Sequence, residues 1–334
     1  MTGDCGCPCL SSVCTSREGD CSNVIPFSNL LILPSGFYPN TSSVWQDLRI
    51  TVRPHLHCIL EPCVIKDAHL TFTDPCSITH DIQKFVANVL RARIFGCIEY
   101  LISAQSAVPD MTGNMASVSA FYKINVDRVV AFIDPCNSGQ CSVVVKYQNL
   151  RFDDPAEFVY GNSLALKILG EFVLYLGFIN NGSFENAFSG WTQMIPPGAT
   201  ADTVTRFEDY VPVCGCYFAL LKTDGPGSFN SISQDFYANA GDKISGWAFF
   251  RTNDLLPFND SCNVKILSGS IVLSTPFSAS VSTVGNFGRT PWTYWEYTFA
   301  ETGLYTIKAE IANALDSAVD SFMGLDFIRL TSVQ

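Results

Sequence analysis

The stretch DLRITVRPHLHCILEPCVIKDAHLTFTD, residues 47–74, alternates between apolar and polar side chains. At its start, Leu48, Ile50 and Val52 are each followed by a polar residue. A period of two residues is typical of a strand that buries one face, because successive side chains of a strand point to opposite sides. This stretch therefore predicts a long half-buried strand and favours an all-β fold.

The composition agrees with a packed, strand-rich protein. The 334-residue chain is 47% hydrophobic and only 15% charged, and it contains 25 Phe and 12 Tyr, residues that are enriched in strands. Its net charge of -11 leaves nothing to neutralise phosphates, which excludes a nucleic acid partner. Its longest apolar stretch, ILGEFVLYLGFI at 168–179, contains a Glu and is too short to span a membrane.

Breaks in the pattern divide the chain into four parts. We expect a flexible Cys-rich arm at 1–24, a β-sandwich at 25–160, a connecting apolar segment at 161–178, and a second β-sandwich at 179–334. The segment DIQKFVANVLRARIFGCIEYLISAQ could begin as a helix, but we favour a strand with a bulge near Gly96.

Fourteen cysteines are the most unusual feature of the chain. The arm buries almost nothing, so its cysteines indicate sulfur chemistry rather than packing. Their spacing includes no C-x-x-C pair, which favours disulfides over a zinc site. We also expect a bridge across the base of a hairpin between Cys136 and Cys141, provided that the strands bring the two Cα atoms close enough. The arm cysteines are Cys5, Cys7, Cys9, Cys14 and Cys21.

The first residues carry no basic and apolar pattern of a secretory signal. We therefore expect synthesis in the cytosol without a signal peptide.

The stretch INNGSFENAFSGWT, residues 179–192, resembles the opening strand of carbohydrate-binding-module jelly rolls, and GLDFIRL near the end resembles their closing strand. Such domains also occur in surface proteins of spore-forming Firmicutes. The resemblance implies a jelly roll, and a structural calcium (Ca2+) held by Glu185 and Asp326 together with backbone carbonyls. The alternative is that Glu185 faces solvent and Asp326 caps a turn.

Sugar binding in such modules uses exposed aromatic side chains. The resemblance therefore implies four sugar-binding candidates: Trp247, Trp292, Tyr294 and Trp295. Alternation places Trp292 and Tyr294 on one face of a strand and Trp295 on the other, so one of these sets is expected to be core.

The arm resembles, in design only, the N-terminal connector of endospore appendage subunits, which locks a fibre with disulfides between subunits. The resemblance implies intermolecular disulfides from the five arm cysteines. It also implies a spore-surface or extracellular location reached after lysis of the mother cell, where thiols oxidise.

The sequence predicts no enzyme, because it contains no P-loop, no G-x-G-x-x-G and no G-x-S-x-G motif. The four histidines, His55, His57, His69 and His80, lie close together along the chain. They leave a metal-dependent enzyme as a weaker hypothesis, against surface strands that simply tolerate imidazoles.

We expect a self-assembling structural protein of the spore surface or of an extracellular fibre, with itself as the main partner and glycans or other spore-surface proteins as further partners. The alternative is a carbohydrate-binding adhesin that uses the C-terminal jelly roll.

Overall fold

A computed structural model describes residues 13–14, 22–33, 48–73, 79–107, 115–133, 141–153, 158–160, 163–316 and 318–332. Side chains are described for most of these, but not for 13–14, 64–89, 105–116, 132–133, 158–160 or 163–164. The arm cysteines Cys5, Cys7, Cys9 and Cys21 lie outside the described residues, as does Cys136.

The chain is all-β, as the sequence predicts. The N-terminal module contains β1 (Val13–Cys14), β2 (Val24–Ile32), β3 (Arg49–Thr73), β4 (Thr79–Ala107), β5 (Met115–Ile133), β6 (Ser142–Phe152), β7 (Phe158–Tyr160) and β8 (Ser163–Gly177). The C-terminal module contains β9 (Thr192–Met194), β10 (Thr200–Val204), β11 (Phe218–Lys222), β12 (Asn230–Ala238), β13 (Lys243–Thr252), β14 (Ser261–Ser268), β15 (Ile271–Ser280), α1 (Val281–Val284), β16 (Thr293–Thr298), β17 (Gly303–Ala312) and β18 (Ser321–Thr331).

Two sheets form the N-terminal module. Sheet A has the order β1-β3-β4-β5, and sheet B has the order β2-β8-β6, with β7 paired to β8. The alternation that opens the sequence analysis sets the packing: Ile50 is buried between the sheets, whereas Thr51 and Arg53 face solvent. The core between the sheets includes Tyr100, which stacks edge-on against Phe172 at 4.9 Å between ring centroids.

The prediction that residues 161–178 form a connecting segment is wrong. Its residues form β8, the central strand of sheet B, which pairs with β2 on one side and β6 on the other. Ile168 and Phe172 of this strand are completely buried. A mostly apolar run looks like a linker in sequence, but here it is a central strand that buries Ile168 and Phe172 on one face and leaves Lys167 and Glu171 partly exposed on the other.

The predicted flexible arm, residues 1–24, is also too long. Val13 and Cys14 form β1, which pairs in parallel with Val64 and Ile65 of β3. The chain therefore joins sheet A well before residue 24.

The segment that could have begun as a helix is strand β4, as favoured. Its register passes Gly96 without a shift, and the irregularity lies instead at Ala92 and Arg93. Gly96 has a φ of 130°, and a Cβ there would overlap the carbonyl oxygen of His55 on β3. Glycine is thus required by the close approach of two strands.

The expected bridge between Cys136 and Cys141 is wrong, because Cys141 is bonded to Cys58. The two Cα atoms of this disulfide are 5.6 Å apart although 83 positions separate them in sequence. Strand β3 of sheet A and the start of β6, an edge strand of sheet B, meet here, so tertiary packing rather than the hairpin turn decides the pairing.

The C-terminal module packs two five-stranded sheets face to face. Sheet C has the order β15-β14-β17-β12-β9, and sheet D has the order β10-β11-β18-β13-β16. Trp191 of the opening motif is in the core, and its Nε1 donates to the backbone oxygen of Asn181.

The modules contact each other through β6, β8 and β12. The rings of Tyr175 of β8 and Tyr237 of β12 contact each other, with their centroids 4.4 Å apart and their planes tilted by 33°. The ammonium of Lys146 lies over both rings. The side-chain amide of Asn239 donates to the carbonyl of Val143 at 2.9 Å. Among the described residues, no helix is long and apolar enough to cross a membrane.

We predict that Gly96→Ala destabilises the N-terminal module by about 2 kcal/mol or more, because the new Cβ meets backbone and the positive φ is costly for alanine. Chemical denaturation followed by circular dichroism measures this. Ser119→Ala, on the solvent face of the neighbouring strand β5, is the control and is expected to change stability by less than about 0.5 kcal/mol. Equal effects of the two changes would contradict the prediction.

Candidate functional site

Two aromatic side chains stand together on the outer face of sheet D. Trp247 of β13 and Tyr294 of β16 are direct cross-strand partners, and their rings meet edge-to-face at 5.5 Å. Tyr294 is 44% exposed and Trp247 is half-buried. We call this pair the aromatic platform.

Polar groups border the aromatic platform. The hydroxyl of Tyr294 donates to Glu296 Oε2 at 2.8 Å, and the ammonium of Lys243 donates to Glu296 Oε1 at 3.0 Å. These two hydrogen bonds, from Tyr294 first and then Lys243, hold the pKa of the exposed Glu296 carboxyl below its usual value. The platform therefore combines flat apolar rings with a carboxylate and an ammonium in fixed positions.

The other two tryptophans predicted for sugar binding are placed differently. Trp295 faces the core and is only 2% exposed, so its assignment as a sugar-binding residue is wrong. Trp292 is half-buried: its ring packs against Phe249 at 4.7 Å and its Nε1 donates to the carbonyl of Val211 at 2.9 Å. Trp292 thus serves mainly to hold the segment that begins at Val211.

A segment at 211–217 runs beside the platform and is held by two carboxylates. Asp326 Oδ2 accepts the backbone N–H groups of Val213 and Cys214, at 2.6 and 3.0 Å. Glu185 Oε1 accepts those of Cys216 and Tyr217, at 2.8 and 2.9 Å. We call this arrangement the carboxylate clamp. It lies beside the platform because Asp326 is the cross-strand partner of Trp247.

The pKa of Asp326 is raised to about 7. The main cause is burial, since the residue is completely inaccessible, and the negative charge of Glu185 acts in the same direction. The backbone N–H donors oppose the shift but do not cancel it. Burial and the same two carboxylates also raise the pKa of the free thiol of Cys214.

Glu185 and Asp326, which the resemblance implies as calcium ligands, both hold this one segment. The residues do not fit a calcium shell, however. Calcium takes six to eight oxygen ligands, whereas four backbone N–H donors of this segment point at the two carboxylates, and a fifth, from Phe327, reaches Asp326 Oδ1. The clamp resembles a carboxylate held in a nest of N–H groups.

The histidine cluster does not assemble into a metal site in the part of the structure that is described. His55 Nε2 lies 3.5 Å from Glu99 Oε2, and the ring of His57 contacts Phe95. The side chains of His69 and His80 lie outside the described residues. Within the described ranges, no group of three or more His, Cys, Asp or Glu side chains could hold a metal ion.

Sequence reasoning identified Trp247 and Tyr294 but did not include Glu296 in the site. The alternation in TYWEYT contains the signal, since it places Tyr294 and Glu296 on the same face. That this face is the outer one, and that Lys243 and Trp247 lie across from it, depends on the pairing of β13 with β16.

A family model described as the YwhK N-terminal domain matches residues 13–157, less than half of the chain. No curated protein sequence matches the chain.

Part of the chain is similar to solved carbohydrate-binding modules and adhesin domains. A CBM61 module in complex with β-1,4-galactotriose is 19% identical over 47% of this chain and 99% of that chain, with a TM-score of 0.33. The K3 cleaved adhesin domain of Lys-gingipain from Porphyromonas gingivalis is 11% identical over 47% and 99%, with a TM-score of 0.32.

A CBM22 tandem of Xyn10C from Paenibacillus barcinonensis covers more of the chain. It is 11% identical over 93% of this chain and 80% of that chain, with a TM-score of 0.29. TM-scores this low carry no argument about the function of this chain.

We predict that the free energy of unfolding falls as pH rises from about 4 to about 7, by up to about 1.4 kcal/mol per pH unit from Asp326 alone. The pKa of Asp326 is about 7 in the folded chain and 3.8 in the reference state, so the folded state binds more protons in this range. Stability from the protonated carboxyl is present below pH 4 and is lost as pH passes 7. Denaturation curves across this range measure it.

Asp326→Asn should flatten this slope while lowering stability overall, because the amide cannot accept all of the N–H donors. Some slope should remain, since burial also raises the pKa of Asp260. A slope unchanged by the substitution would contradict the assignment. Adding calcium or EDTA should not shift the denaturation curves of the wild type.

Proposed function

We propose that the C-terminal module binds carbohydrate on the aromatic platform. The observation that carries this proposal is the exposed pair of Trp247 and Tyr294 bordered by Glu296 and Lys243. Aromatic faces pack against the apolar faces of sugar rings, and the neighbouring carboxylate and ammonium can accept and donate hydrogen bonds to hydroxyl groups.

The shape of the site supports a chain-like or terminal sugar rather than an engulfed small molecule. The platform lies on an outer sheet face with the clamped segment at 211–217 along one side. Val211 and Tyr217 are themselves 52% and 39% exposed, so they extend the surface. Because the carboxylate clamp holds this segment, the surface is preorganised, which reduces the entropy lost on binding.

The disulfides support a working location that is oxidising. Cys58 is bonded to Cys141, and Cys63 and Cys216 are also disulfide-bonded. Disulfides persist outside the reducing cytosol. An extracellular or cell-surface location, where polysaccharides are the abundant ligands, agrees with this.

Trp247→Ala is expected to weaken binding to a polysaccharide at least about tenfold, the loss typical of a central aromatic contact. Affinity gel electrophoresis against galactan, xylan and β-glucan measures this, because a bound polysaccharide retards the protein. Tyr294→Phe should give a smaller loss, since it keeps the ring but removes the hydroxyl that orders Glu296.

Phe121→Ala is the matched control. Phe121 is 60% exposed on the N-terminal module, so the change removes an exposed ring elsewhere and should leave retardation unchanged. Equal retardation of the wild type, Trp247→Ala and Tyr294→Phe would contradict the proposal.

A second candidate function is the disulfide-linked structural role that the Cys-rich arm predicts. The observation that favours it is β1, where the start of the chain adds to the edge of β3. Strand addition at an open edge is a common way in which subunits join. Glycan binding and assembly are compatible, because they use different modules.

Assembly is tested by electron microscopy of the protein with and without reductant. If the arm cross-links subunits, a Cys5/Cys7/Cys9→Ser variant should form no detergent-resistant polymers, while its glycan binding should equal that of the wild type. Monodisperse wild-type protein under oxidising conditions would refute the structural role and leave the carbohydrate proposal untouched.

A further inference from the structure

A cavity of about 370 Å3 lies where the two modules meet. One wall is the stretch of β3 from Pro54 to Cys58, and another is Cys141 to Val143 at the start of β6. Asn239, Asp242 and Ser332 of the C-terminal module form a further side. We call this space the junction cavity. Because both modules contribute to its wall, a ligand that fills it contacts both.

Hydrogen bonds fix the C-terminal side of the junction cavity. Asp242 Oδ2 accepts the backbone N–H of Asn239 at 2.8 Å, and Asp242 Oδ1 accepts the hydroxyl of Ser332 at 3.0 Å. The side-chain amide of Asn239 donates in turn to the carbonyl of Val143 in the other module, at 2.9 Å. The amide oxygen of Asn239 and the hydroxyl oxygen of Ser332 can therefore accept hydrogen bonds from positions that are set before a ligand binds.

Two imidazoles border the N-terminal side of the junction cavity. His55 and His57 lie two positions apart on β3, so their side chains are on the same face of the strand. Both are exposed, and 61% of the His55 side chain is open to solvent. A neutral imidazole donates one hydrogen bond and accepts another. Pro54 and Leu56 in the same wall add apolar surface.

The composition of the wall indicates the class of ligand. None of its described residues is a lysine or an arginine, so the wall offers no permanent cation to a phosphate or a sulfate. None is Phe, Tyr or Trp either, so a flat aromatic ligand finds no such ring to stack on. The carboxylate of Asp242 is only 1% exposed and already accepts two hydrogen bonds, so it presents little charge to a cation.

A neutral ring with several hydroxyl groups fits what remains. Its hydroxyls match groups that donate and accept hydrogen bonds, and its C–H groups match the apolar part of the wall. Ligand pockets range from about 300 to 1,000 Å3, so this cavity is at the small end and suits one or two sugar rings.

The junction cavity lies at one end of the strand that carries the aromatic platform. Asp242 directly precedes Lys243, which borders the platform through its hydrogen bond to Glu296. Trp247 is four residues further along β13, about 13 Å away at about 3.3 Å per residue. A glycan that lies on the platform and extends past Lys243 therefore arrives at the cavity.

We propose that the junction cavity binds the end of a glycan, a neutral sugar unit, between the two modules, while the aromatic platform holds units further along the same glycan. The hydroxyls of the sugar unit donate to Asn239 Oδ1 and Ser332 Oγ and exchange hydrogen bonds with the imidazoles of His55 and His57. This proposal rests on the proposed carbohydrate binding, and it adds the N-terminal module to the binding surface.

The test is isothermal titration calorimetry of the full chain with β-1,4-galactotetraose, xylotetraose and cellotetraose. For a tetrasaccharide that the wild type binds, His55→Ala/His57→Ala should weaken binding about tenfold, the loss expected when two hydrogen bonds to the ligand are removed. Thr51→Ala/Arg53→Ala is the matched control and should leave the affinity unchanged. It removes two exposed side chains at the same spacing on the same strand, outside the cavity wall.

Hydrogen exchange followed by mass spectrometry shows where the tetrasaccharide lies. At saturation, exchange of the wild type should slow in the peptides that contain residues 54–58 and 239–243. In Trp247→Ala, raised to a saturating concentration of the tetrasaccharide, protection of these two peptides should persist.

The two proposals fail in different ways. Equal affinities of the wild type and His55→Ala/His57→Ala, with protection confined to peptides around Trp247, would overturn the cavity proposal and leave the platform in place. Weaker binding by His55→Ala/His57→Ala together with unchanged binding by Trp247→Ala would support the cavity and refute the platform. A wild type that binds none of the three tetrasaccharides would overturn both.

Discussion

The rest of the structure depends on a constraint of the extended backbone: successive side chains of a strand point to opposite faces. Each sheet therefore has one face that must be buried, and the four sheets of this chain meet that need in two pairs. Ile50 and Ile98 fill the first core, whereas Ile307 and Leu325 fill the second. The opposite faces remain free to carry aromatic, charged and thiol side chains.

In the C-terminal module, two carboxylates connect this scaffold to the surface. Glu185 lies in the opening motif and Asp326 lies on the last strand, yet both accept N–H groups from one segment at 211–217. Burial of Asp326 raises its pKa, and the hydrogen bonds offset part of that cost. The segment is thereby fixed beside Trp247 and Tyr294, and an exposed pair of rings becomes a defined surface.

The cysteines have different roles according to their surroundings. Cys58 and Cys141 join sheet A to sheet B at the module junction. Cys262 is completely buried among apolar side chains, where burial raises the pKa of its thiol far above the usual value, and it behaves as a small core residue. Sequence spacing alone does not distinguish these roles, because each depends on which strands become neighbours.

The sequence by itself determined the all-β class and the sandwich architecture, because these follow from the alternation of apolar and polar residues along the strands. Only the tertiary structure decided that 163–177 is a central strand, that Cys141 bonds Cys58 rather than Cys136, and that Trp295 is core while Tyr294 is exposed. The physical reason is that strand pairing joins residues far apart in sequence. Local periodicity fixes which residues share a face, but sheet order and register fix what that face meets.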